Sequence, residues 1–134
     1  MDLEDRQRIC RLVAGVMFSD GHFAEEERAF LERICVRFGL ARDAYEELTP
    51  LDTGACSAAL RELPEKVQAK VLALLVEATV ADGVVEAQER AYLLVAAAAL
   101  EVDAVVMEQR IARRMQQLDV QGPMSDPGAD GPPA

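Results

Sequence analysis

Asp20-Gly21-His22-Phe23-Ala24-Glu25-Glu26-Glu27-Arg28-Ala29-Phe30-Leu31 has a second copy further along the chain, Asp82-Gly83-Val84-Val85-Glu86-Ala87-Gln88-Glu89-Arg90-Ala91-Tyr92-Leu93. The copies stand sixty-two residues apart, and each lies between two stretches of helical apolar periodicity. An acid followed by glycine ends a helix, because glycine takes the left-handed conformation without a steric penalty. A glutamate a few residues later falls in the first turn of the next helix, where unpaired N–H groups and the helix dipole favour a carboxylate. The phrase therefore predicts a helix-turn-helix unit used twice.

Outward from the first copy, Ile9, Leu12, Val13, Val16 and Met17 predict an amphipathic helix over residues 3–18. Phe30, Leu31, Ile34, Cys35 and Phe38 predict a second over 24–38, closed by Gly39. Residues 41–48 read as a short third helix stopped by Thr49-Pro50, and 55–63 as another. Pro64 suits the first turn of a helix over 64–81 that is apolar on most sides, as befits the middle of a bundle. After Asp82-Gly83 a helix over 87–101 carries the run Ala96-Ala97-Ala98-Ala99, which lets a neighbour approach its backbone closely. Met107, Ile111, Met115 and Leu118 space out a last helix over 104–118. No stretch reads as a strand. The expected fold is all-α: a compact bundle of about six to seven helices, two similar helical-hairpin halves around a buried pair over 66–101. Residues 1–118 form the domain, and 119–134, rich in Gly, Pro and Asp, are expected to be disordered.

With no Trp, two Tyr and four Phe, the core must be filled by Leu, Val and Ala. Net charge is −10, and −7 remains on residues 1–118 once Asp119, Asp126 and Asp130 are set aside. That sign repels phosphate backbones, so no nucleic-acid partner is expected. Met1 to Asp5 lacks the apolar core of a secretory signal, and the apolar runs 71–76 and 91–100 are too short to cross a bilayer. Three cysteines without CxxC spacing signal neither a disulfide framework nor a zinc site. A cytoplasmic protein without direct membrane insertion is expected. One histidine in an acidic turn completes no Ser/His/Asp or Cys/His set, and no Gly-rich phosphate loop is present, so no enzyme is expected.

Asp-Gly followed by five residues and Glu is also the second half of an EF-hand loop. The first and third ligand positions would then be Val16 and Phe18 in one copy, Ala78 and Val80 in the other, none of which carries a side-chain oxygen. An EF-hand is excluded. Two readings remain open. In the first, Glu27 reaches back to the N–H of Ala24, Glu86 and Glu89 serve the second helix likewise, and Asp20 and Asp82 tie the turns through Asx-type bonds. In the second, the crowded acids Asp20, Glu26, Glu27, Asp82, Glu86 and Glu89 also hold a weak hard cation, Ca²⁺ or Mg²⁺. The second copy is poorer in acids, with Ala87 and Gln88 in place of Glu25 and Glu26. No other cofactor is expected.

Ser19-Asp20-Gly21-His22-Phe23 with Glu27 and Leu31, and Ala81-Asp82-Gly83-Val84-Val85 with Glu89 and Leu93, resemble the TerB-like family over residues 5–118. That family takes in the tellurite-resistance TerB proteins and the amino-terminal domain of DjlA-type co-chaperones. The resemblance implies a compact helical domain, a setting in bacterial stress response, and a role as a protein- or cation-binding module. It implies no established chemistry. The sequence departs from the family where Ser, Thr or Asp often precedes the second helix, since Ala24 has no capping oxygen. It carries no J-domain, so a chaperone-recruiting role is not expected. The functional expectation is a non-catalytic protein-interaction module with an unidentified protein partner, the cation-binding domain being its alternative and an enzyme the remote one.

Overall fold

The structure, a computed structural model, describes residues 1–21 and 23–121. Six helices follow one another: α1 Leu3–Met17, α2 Glu25–Arg37, α3 Thr53–Glu62, α4 Glu65–Val80, α5 Ala87–Ala99 and α6 Ala104–Gln121, with a 3-10 turn at Ala44–Glu46 between α2 and α3. No strand occurs among the described residues. The all-α bundle expected from the periodicities is what forms. Residues 41–48, expected as a helix, shrink to that 3-10 turn. The segment is held between the closure of α2 and Pro50, and of its residues only Tyr45 is buried. Pro64 stands just before α4, at the cap position rather than inside the first turn. The last helix runs three residues past Leu118, to Gln121, and the remainder of the expected tail lies outside the described residues.

The two copies fold alike down to single hydrogen bonds. Gly21 donates to Phe18 O at 3.1 Å, and Gly83 to Val80 O at 3.0 Å; both glycines are left-handed, with φ of 82° and 83°. At the far ends of α2 and α5, Leu40 N–H bonds Cys35 O and Val102 N–H bonds Ala97 O, each at 2.8 Å, the long bond of a helix-closing Schellman motif. The hairpin α1–α2 is thus repeated by α4–α5.

The hairpins pack first helix against first helix, with α1 on α4, while α5 makes its most extensive contacts with α3. Residues 12–17 of α1 are buried without interruption, so α1 belongs to the centre along with α4 and α5. Close approach explains the one helical glycine inside that run. A Cβ on Gly15 would lie 2.0 Å from Leu51 O and 2.4 Å from the Tyr92 hydroxyl. Leu51 is pinned there twice: its N–H donates to Arg11 O at 3.1 Å, and its carbonyl accepts from the buried Tyr92 hydroxyl at 2.6 Å. The connection between the two halves is therefore stitched into both of them. Cys10, Cys35 and Cys56 are buried free thiols; Cys10 of α1 meets Cys35 of α2 within hydrogen-bonding reach, and burial pushes the Cys10 thiol up to about 12. No described helix is long and apolar enough to cross a membrane.

Candidate functional site

Each turn hands its glutamate inward. Ala24, extended at φ −69° and ψ 159°, precedes α2, and its N–H donates to Glu27 Oε1 at 2.9 Å. Glu86, at φ −80° and ψ 159°, precedes α5, and its N–H donates to Glu89 Oε1 at 2.9 Å. The third helical position is the one from which a glutamate reaches back to the cap N–H, so the sequence alone places these two acids on the inner side of their turns. Ala24 has no oxygen with which to complete the reciprocal half of the box. The glutamate half forms without it.

Because the first helices of the hairpins pack face to face, the N-termini of α2 and α5 converge, and Glu27 meets Glu89. Glu27 is 2% exposed and Glu89 1%. Their carboxyls confront each other closely enough to share a proton. With both acids ionised Oε2 of each would face no hydrogen-bond donor, and one shared proton supplies it. Two facing carboxylates out of water repel strongly, and an unsatisfied buried carboxylate oxygen is costly. Burial accordingly raises Glu89 to about 8, assisted by Glu27 and the charge of Asp20. Glu27 is raised too, first by burial and further by the charges of Asp82 and Asp20, while its bond from Ala24 works in the opposite direction. The two positive helix ends partly offset this repulsion. The pair has the chemistry of a site that wants one positive charge, as a proton or as a metal cation.

Of the six acids the sequence offers for a cation, four come together in this way: Glu27 and Glu89 at the centre, Asp20 and Asp82 half-buried and near enough to act on them electrostatically. Asp82 also ties its turn, Oδ1 accepting from Val84 N–H at 3.0 Å, as expected for an Asx bond. Its counterpart on the other side would address His22, which lies outside the described residues. Glu26 and Glu86 are exposed and are not brought into the pair. Among the described residues no three His, Cys, Asp or Glu side chains stand close enough together to form a metal-ligand set in this conformation. That Glu27 and Glu89 face each other is what sequence reasoning missed; the constant spacing between copies was the available signal, since a repeated hairpin tends to pack against itself pseudo-symmetrically.

The arginines that follow the two glutamates turn away from them. Arg28 donates to the Tyr45 hydroxyl at 2.9 Å and lies over the Phe23 ring, 5.1 Å from its centroid. Arg90 pairs with Glu108 of α6. A shallow cleft of about 300 Å³ elsewhere is lined by Glu4, Arg8, Arg11 and Glu47 among others. Its cations are already engaged: Arg8 with Asp5 at 2.8 Å and Glu62 at 3.3 Å, Arg11 with Thr49 O at 2.8 Å. It offers no comparable chemistry. No family model, curated protein or solved structure matches the chain.

Proposed function

We propose that this chain is a non-catalytic helical module that binds a divalent cation between its two Asp-Gly turns, with Glu27 and Glu89 as the first ligands. The observation that carries this reading is the pair of buried carboxyls, Glu27 and Glu89, that face each other from equivalent positions of a repeat and together hold less than their full negative charge unless a cation joins them. Asp20 and Asp82 are half-buried and add negative potential, Asp20 at both glutamates and Asp82 at Glu27. Two protein carboxylates suffice for an ion that keeps part of its water. The positive helix ends lower the affinity, so binding belongs to the micromolar-to-millimolar range rather than to that of a structural metal.

The resemblance to the TerB-like family supports a binding module over an enzyme, as does a sequence with one histidine and no nucleophile set. A protein partner in a bacterial stress setting is the second reading; the exposed Glu25, Glu26 and Glu86 beside the pair favour it by giving the turns an acidic rim. Calorimetric titration with Mg²⁺, Mn²⁺ and Ca²⁺ tests the first. The parent should bind at least one of them at or below millimolar concentration and melt higher with it. Glu27→Gln/Glu89→Gln, which keeps both capping oxygens, should lose the effect. An absence of heat and of any melting shift with all three ions would overturn the reading.

A further inference from the structure

We propose that the outer face of α6 is a pairing surface for a second copy of this chain, laid antiparallel across a two-fold axis near Gln109. Among the described residues α6 packs on α4 and α5 only. Met107, Ile111 and Leu118 fill its inner side and are buried. On the opposite side Val105 is 64% exposed and Val106 41%, the former more than any other bulky apolar side chain among the described residues. At about 3.6 residues per turn, Gln109, Ala112 and Arg113 come round to the same side as these valines. All three are exposed.

Charge says what covers this face. Arg114 is engaged with Glu77 at 2.6 Å, and Glu108 is turned toward Arg90, off the outer side. Arg110 and Arg113 are exposed and enter no ion pair among the described residues. Just before the helix stand two exposed acids, Glu101 and Asp103, which enter none either. The order along the chain is therefore anions, valines, cations. A face ordered in that way complements itself when a second copy is turned end for end. Antiparallel placement about Gln109 sets Val105 of each copy against Arg113 of the other, and Val106 against Ala112. The apolar stem of the arginine then covers the valine while its guanidinium comes to the acids beyond. Such a contact uses the same patch twice and closes at two copies. The chain as a whole carries −10, but the four charges on this face sum to zero, so two copies approach each other here with the least repulsion. Physiological salt screens the remainder beyond about 8 Å.

One helix face from each copy falls short of the roughly 1,200 Å² of a standard interface, so the dimer is a weak one, with a Kd on the order of 10–100 µM. Sedimentation equilibrium from micromolar to millimolar loading, at about 0.15 M salt, should show monomer and dimer in exchange. Val105→Asp puts an acid in the first turn of α6, where the helix dipole favours it, so the monomer stays folded while dimerisation weakens about tenfold or more. Arg110→Glu/Arg113→Glu and Glu101→Arg, all at exposed positions, should each weaken it by a similar factor. Mixed together, those two variants should associate more tightly than either does alone, because each then meets opposite charge. A parent that stays monomeric at millimolar loading leaves the face to residues 122–134 or to a different protein and overturns the proposal. A dimer that none of the variants weakens places the contact elsewhere and overturns it as well. A mixture no tighter than its components overturns the antiparallel arrangement.

Discussion

Glu101 occupies in the second hairpin the place that Gly39 holds in the first. Gly39 N–H bonds Val36 O at 2.9 Å and Glu101 N–H bonds Ala98 O at 3.0 Å, and both residues are left-handed, with φ of 78° and 61°. Glycine carries no penalty there, whereas an L-residue with a side chain is strained by about 1–2 kcal/mol. Glu101→Gly should stabilise the protein by about 0.5–1 kcal/mol, the loss of strain exceeding the entropy glycine adds to the unfolded chain. Gly39→Glu should cost at least as much. Denaturant melts of the two variants check this, and a destabilised Glu101→Gly would mean that the Glu101 side chain contributes something its exposed position does not suggest.

The buried carboxyl pair makes stability depend on pH with a definite sign. Glu89 binds its proton up to about 8 in the folded state, against an ordinary value of 4.5. Between those limits the folded protein holds a proton that the unfolded chain releases. The contribution is therefore complete below 4.5 and is lost as pH rises through about 8. In the presence of a chelator, the melting temperature of the parent should fall from pH 5 to pH 9 by more than that of Glu89→Gln, whose amide stays neutral throughout. Parallel profiles would show that the pair carries no proton.

Gly15 and Tyr92 meet at Leu51, so their substitutions should not add. Gly15→Ala drives a methyl into Leu51 O and the Tyr92 hydroxyl and should cost about 2–3 kcal/mol. Tyr92→Phe takes the donor from a buried carbonyl and should cost about 1–2 kcal/mol. The double variant should lose less than both together, because phenylalanine removes one of the two atoms that the new methyl strikes.

Within the alanine run the two middle residues part company: Ala97 is fully buried and Ala98 is exposed. Ala97→Leu should overpack the core and cost about 1–3 kcal/mol, while Ala98→Leu should stay within about 0.5 kcal/mol of the parent. The helix that α5 contacts most extensively is α3, whose buried residues are Cys56, Ala59 and Leu60.

The hairpins were legible because helix periodicity, Asp-Gly breaks and first-turn glutamates are local signals, each decided within a few residues of Gly21 or Gly83. The segment 41–48 was over-read for the same reason: its composition permits a helix, but the closure of α2 and Pro50 leave room only for one turn around Tyr45. Non-local facts were out of reach. Nothing in either copy alone says that Glu27 will face Glu89, or that Leu51 will press against Gly15. Periodicity gives α1 a polar face, yet the chain surrounds its second half on all sides, because α2, α3, α4 and α5 all pack on it. The candidate acids divide along the same line. The third helical position marks Glu27 and Glu89 as cap-forming and inward, whereas Glu26, one residue earlier in the helix, is rotated into water and Glu86, the extended cap residue of α5, stays outside the helix and exposed.

The three buried thiols give the protein a built-in clock for its own opening. Cys10 and Cys35 sit where α1 meets α2, and Cys56 lies in α3 against the other half. None can react with a dissolved thiol reagent until its surroundings part, so the rate at which each is labelled measures how often that part of the bundle comes open. Tightening of the gap between the two turns, by a proton, an ion or a partner, would slow Cys10 and Cys35 if the first hairpin opens as a unit with the second, and would leave them untouched if it opens alone. Three buried cysteines thereby report whether the halves of the repeat breathe together.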